Sequence, residues 1–161
     1  MSAVIESHHD DHHHGPAKGF SRWLYTTNHK DIGSLYLWFS FIMLFVGGAM
    51  AMVIRAELFE PGSQIVSPEF YNQMVTNHGL IMVFGVIMPA FVGLANWMIP
   101  MQIGAPDMAL PRLNNLSFWI LPAAFGVLLS TFLMEGGAPN FGWTFYAPLS
   151  LSLIHISEPT R

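Results

Sequence analysis

His78 stands in a stretch, Phe70 to Pro106, that holds no Asp, Glu, Lys or Arg. Polar groups in apolar surroundings are costly when unpaired, so each needs a reason to be there. Positions 78, 82, 85 and 89 fall on one helical face and read His, Met, Gly, Pro. With Gly79 and Gly85 beside it, a flat ligand such as a haem edge could approach, the imidazole acting as axial donor. The residues alone favour the plainer reading, an imidazole hydrogen-bonded to a neighbouring helix or lying near the interface. Arg55 offers a fork of donors for a carbonyl or carboxylate, or snorkels to an interface. Glu57, Glu60, Gly62 and Gln64 place oxygen donors around Pro61-Gly62, a mixture that suits Ca²⁺ or a solvated acidic loop. Asp107, with Asn96 and Asn114, could order a water chain for protons, or cap the helix that follows. The tract His8-His9-Asp10-Asp11-His12-His13-His14 reads as metal capture or as a solvated tail.

The elements that must position these groups are apolar and long. Ile32 to Ile54 gives 23 residues without a charge. At ~1.5 Å per residue they span about 35 Å, enough for a bilayer core of ~30 Å. A second helix is expected from about Tyr71 to Gln102, kinked at Pro89, which removes a backbone hydrogen bond. A third runs from Leu116 to Met134. Arg55 to Phe70 and Asp107 to Asn115 read as polar connections, and residues 141 to 150, rich in aromatics and turn formers, as interfacial material. His78 and Gln102 would lie about 36 Å apart along a helix, so His78 and Asp107 belong near opposite faces. Lys18, Arg22, Lys30 and Arg112 outweigh the lone Arg55, which places the N-terminus and the second connection in the cytoplasm.

Composition agrees. Of 161 residues, 52% are hydrophobic and 10% charged, with a net charge of −4. The mean hydropathy is +0.43. Soluble domains carry about a quarter charged residues. No basic stripe offers a footprint for nucleic acid, and the absence of cysteine excludes disulfides and thiolate metal sites. No apolar leader precedes the His-rich start.

TTNHKDIGSLYLWF (26 to 39), IRAEL (54 to 58), NHGLIMVFGVIMPAFVGLANWMIP (77 to 100), IGAPDMALPRLNNLSFWILP (103 to 122) and PNFGWTFYAPLS (139 to 150) resemble the start of the haem-copper oxidase subunit I family, the catalytic subunit of cytochrome c oxidases. The likeness covers about residues 20 to 150 and looks proteobacterial. It implies an all-α integral membrane fold: three transmembrane helices of the twelve-helix subunit I bundle, in a bacterial inner membrane with a cytoplasmic N-terminus. It implies that His78 is an axial ligand of low-spin haem a and that Arg55 hydrogen-bonds that haem's formyl group. Glu57, Glu60, Gly62 and Gln64 would match a structural Ca²⁺ loop. Asp107 would open a proton pathway, with Asn96 and Asn114 just inside and Tyr36 along it. Trp143 and Tyr146 would lie near the haem propionates. The parent enzyme would pass electrons from cytochrome c to O₂, pump protons, and carry haem a3 and copper B. Subunits II and III, cytochrome c and membrane lipid would be its partners.

The resemblance also sets limits. The other haem a histidine, the copper ligands and the high-spin haem ligand are not in these residues, so the chain is expected to be an N-terminal piece, inactive alone. Residues 1–25 are expected as a disordered His-rich cytoplasmic tail and 26–150 as the oxidase domain. The string LSLIHISEPTR (151 to 161) resembles a translated sequencing adapter, so His155 is not counted as a ligand. A quinol oxidase of the same superfamily, or a non-enzymatic membrane segment if the gene ends here, are the rival readings.

Overall fold

A computed structural model describes residues 19–62 and 65–147, and every described regular element is helical. The His-rich tract, Gln64 and the segment after Ala147, with His155, lie outside the described residues. Three helices are long and apolar enough to cross a membrane: His29–Glu57, Pro68–Ile103 and Pro111–Leu133. A short helix, α1 (Phe20–Leu24), precedes them.

Helix α2 (His29–Glu57) is the central element. Asn28 caps it by accepting from the Lys30 N–H, which satisfies one of the orphan donors of a first turn. Its buried positions include Ile32, Tyr36, Phe39, Met43, Gly47, Met50 and Glu57. Spacings of mostly three and four make one continuous stripe. Against it pack Met74, Ile81, Phe118 and Phe125. Rings meet edge to face, Tyr36 with Phe118 at 5.2 Å and Phe39 with Phe125 at 5.6 Å between centroids, the arrangement that aromatic quadrupoles favour. The opposite face, with Trp38, Phe41, Phe45 and Met52, is exposed.

The second span is interrupted. Helix α3 (Pro68–Leu80) gives way to a π-helical segment, Ile81–Ile87, before α4 (Met88–Ile103) resumes. The disturbance expected at Pro89 thus takes the form of wider turns just ahead of it. The Ser40 hydroxyl donates to the Val86 carbonyl at 2.8 Å, as hydroxyls do where a membrane helix loosens. Gly104, at φ 70°, ends α4 in the left-handed cap that glycine allows.

Helix α5 (Pro111–Ser130) continues into a 3₁₀ turn, Thr131–Leu133. It begins five residues before the expected Leu116. Arg112, Asn114 and Asn115 are therefore helical rather than part of a loop, with Pro111 in the first turn, where a missing N–H costs nothing. The described residues also include some ahead of Thr26. Arg22 on α1 forms an ion pair with Asp31 at 2.9 Å, and Asn115 donates to the Leu24 and Thr26 carbonyls.

Helices α2 and α4 cross closely at Gly33 and Gly93. A Cβ on Gly33 would meet the Gly93 carbonyl oxygen at 2.9 Å and the Trp97 ring at 2.6 Å, whereas one on Gly48 would meet nothing within 4 Å. Gly33→Ala is therefore expected to destabilise the bundle by about 1–3 kcal/mol through overpacking. Gly48→Ala, on the same helix, should leave it unchanged or raise it by up to about 1 kcal/mol. Thermal unfolding of the two variants in detergent checks this; equal transitions would refute the close crossing.

Candidate functional site

Two polar clusters occupy well-separated levels of the bundle. On α2 they are marked by His29 and Gly47, which lie about 27 Å apart along the axis.

At the Gly47 level, His78 Nδ1 lies 2.8 Å from the Gly47 carbonyl oxygen. A carbonyl only accepts, so Nδ1 must carry the proton. In a neutral ring that leaves the Nε2 lone pair, the form in which imidazole binds a metal while its other nitrogen is anchored. Nε2 has no hydrogen-bond partner among the described residues. The donor set thus fits an axial haem ligand. The route expected for a flat ligand is different, however. The Gly79 surface is taken by Trp143, whose Cδ1 would lie 2.7 Å from a Cβ there, and a Cβ on Gly85 would meet the Phe125 ring at 3.1 Å. These glycines admit aromatic side chains of this chain, not an external plane. Sequence reasoning missed this because Trp143 is 64 residues away.

Arg55 is exposed in the last turns of α2, eight residues beyond Gly47. That is about 12 Å along the helix. Tyr146 is exposed, and Phe145 before it adopts φ 56°, a left-handed conformation uncommon for a bulky residue.

Glu57 is buried, and its Oε2 accepts from the Ile65 and Val66 N–H groups at 2.9 and 3.0 Å. It latches the connection onto α2. Glu60 and Gly62 are exposed, and no three His, Asp or Glu side chains converge among the described residues. A calcium ion here would compete with two backbone N–H groups for Glu57. Glu57 thus spends one carboxylate oxygen on the connection, and Gln64, the fourth donor expected of the loop, lies outside the described residues.

At the His29 end, Asp107 Oδ1 accepts from the His29 and Met108 N–H groups at 3.2 and 2.8 Å. Its Oδ2 makes no hydrogen bond to a described residue. So Asp107 serves the first turn of α2 rather than capping α5. His29 is buried, with Nδ1 donating to the Asn96 carbonyl at 2.9 Å. Asn114 Nδ2 donates to Asn96 Oδ1 at 2.6 Å. Ser117 donates to the Asn114 carbonyl at 2.6 Å and lies 2.8 Å from the Tyr36 hydroxyl. Since the one Ser117 proton is engaged, Tyr36 donates to Ser117. The structure thus brings Asp107, Asn96, Asn114 and Tyr36 into one polar run and adds His29 and Ser117, which the sequence reading did not select. Three residues after Asn114, Ser117 lies on the same helical face, and that spacing was a readable signal.

The family described as "Cytochrome C and Quinol oxidase polypeptide I" matches residues 31–160. Over 141 residues the chain is 49% identical to cytochrome c oxidase subunit 1 of Corynebacterium diphtheriae, covering 86% of this chain and 25% of that protein. Over 135 residues it is 50% identical to cytochrome c oxidase subunit 1 of Corynebacterium glutamicum, covering 83% and 23%. It is 49% identical over 129 residues to heme-copper oxidase subunit I+III of Aeropyrum pernix, covering 80% and 16%. The chain spans about a quarter of the length of these corynebacterial relatives.

Proposed function

Because the chain belongs to the cytochrome c and quinol oxidase polypeptide I family, we propose that it supplies the low-spin haem ligand and the proton entry of a proton-pumping terminal oxidase. The parent enzyme takes electrons from cytochrome c and reduces O₂ to water. The observation that carries this reading is the separation of the two clusters. An imidazole with its Nδ1 anchored sits about 27 Å along α2 from a carboxylate that leads into a partly buried polar run at the start of that helix.

When bound, haem a supplies one-electron transfer toward the oxygen-reducing pair, haem a3 and copper B, whose ligands lie in other parts of the subunit. His78 holds the iron through Nε2, and the Gly47 carbonyl fixes the ring's tautomer and tilt. Arg55 would offer its fork of donors to the haem's formyl group, and Trp143 and Tyr146 would stand near its propionates. Asp107 Oδ2 takes protons from the aqueous face. Asn96 and Asn114 are amides that donate and accept hydrogen bonds without taking up a proton, so they orient water, and Tyr36 extends the run toward the core. Moving one charge against 100 mV costs about 2.3 kcal/mol, so a dry core crossed by a few polar groups suits the task better than an open pore.

The excess of Lys18, Arg22, Lys30 and Arg112 over Arg55 supports a cytoplasmic His29 end, with the helices in a bacterial inner membrane. Subunits II and III pack around the bundle. The naming of one relative as a I+III protein supports the latter contact.

The test is expression of the full-length subunit in membranes lacking other oxidases. A low-spin haem band in the reduced-minus-oxidised spectrum is expected, with oxygen uptake driven by reduced cytochrome c. Uptake driven by quinol but not cytochrome c would overturn the donor. The absence of any haem signal would overturn the oxidase reading.

A further inference from the structure

Gln73, Thr76 and Asn77 stand at i, i+3 and i+4 on α3, the spacing of one helical face. All three are buried, Thr76 and Asn77 to 1% and 0% exposure. Buried polar side chains on a membrane helix need partners, and here the partners lie in the segment that follows the third span. The Gly142 N–H donates to Thr76 Oγ1 at 3.0 Å. Asn77 Nδ2 donates to the Pro139 carbonyl at 3.2 Å, and also to the Gln73 carbonyl at 2.8 Å. The Gln73 amide packs on Gly137 so closely that a Cβ there would meet its Cδ at 3.0 Å. Ala138, between these contacts, is buried as well.

We infer that Gln73, Thr76 and Asn77 form a clasp whose task is to hold Trp143 against the helix beside the iron ligand. Thr76 fixes residue 142, so the next residue, Trp143, is set over Gly79, one position past His78. The indole covers Gly79, the residue next to His78. The three residues act through Trp143. Their role is positioning, and it rests on the assignment of His78 above.

Two readouts in the full-length oxidase test this. The first is hydrogen–deuterium exchange in the peptide spanning Gly137 to Trp143, which depends on no cofactor. Thr76→Val removes the hydroxyl at constant volume and should speed exchange there about tenfold, the loss of one hydrogen bond. Thr76→Ser, which keeps the hydroxyl, should restore slow exchange. Asn77→Ala, which frees the Pro139 carbonyl, should speed it independently if the valine variant does not assemble. Unchanged exchange in both Thr76→Val and Asn77→Ala overturns the clasp. The second readout is the low-spin haem band. Thr76→Val should keep full haem occupancy but displace the band, and Thr76→Ser should return it. Faster exchange with an unmoved band overturns the positioning role. If the parent protein itself shows no low-spin band, the haem reading has failed and the exchange result still decides the clasp.

Discussion

Replacing His78 by Ala in the full-length subunit is expected to abolish the low-spin haem signal and reduce oxygen turnover to background. The imidazole is anchored through Nδ1 to the Gly47 carbonyl, and no other described residue offers a metal-binding nitrogen at that level. Alanine removes the donor and leaves the Gly47 carbonyl in its helix, where the backbone can still satisfy it, so the helices should assemble. Haem content should fall to that of the remaining high-spin centre. A low-spin band of unchanged position and intensity would remove His78 from the site.

Asp107→Asn should have the second largest effect, and a more selective one. Asparagine keeps the Oδ1 that accepts from the His29 and Met108 N–H groups, so the start of α2 stays in place. What disappears is the only acid in the polar run. Loss of a positioned acid or base group costs about 10²-fold or more in rate, and turnover limited by proton uptake should fall by that factor. The haem spectrum should be that of the parent. Turnover close to the parent's would show that protons enter elsewhere. A changed spectrum would show that Asp107 acts through the fold instead.

Much of this architecture is legible in the sequence. Charge-free runs from Ile32 to Ile54, Phe70 to Pro106 and Leu116 to Met134 locate three spans, because charged side chains are expensive in lipid. The start of the third span is not legible that way. Arg112 lies in the first turn of α5, where its head can reach water, so hydropathy alone trims a helix that Pro111 in fact opens. The π segment is invisible for a related reason: Ile81 to Ile87 is uniformly apolar, and only Pro89 hints at a disturbance. His78 and Asp107 stand out as isolated polar groups. His29 does not, since His-Lys-Asp beside a polar tail reads as surface, while its partners Asn96 and Asp107 are 67 and 78 residues away. Gln73, Thr76 and Asn77 carried a readable spacing, but the strap they hold had no signature beyond its glycines and prolines.

The π segment carries a constraint on chain length. A wider turn holds about one residue more than an α turn, and one residue is worth roughly 100° of helix rotation. His78 precedes the segment and Asn96 follows it, yet both face α2. Deleting a single residue between 81 and 87 would let the helix regularise. It would also swing one end toward lipid while the other stayed in register. Homologous chains should therefore exchange apolar residues freely across this stretch while keeping their number, since a gap there would put the His78 and Asn96 faces out of register even with every polar group intact.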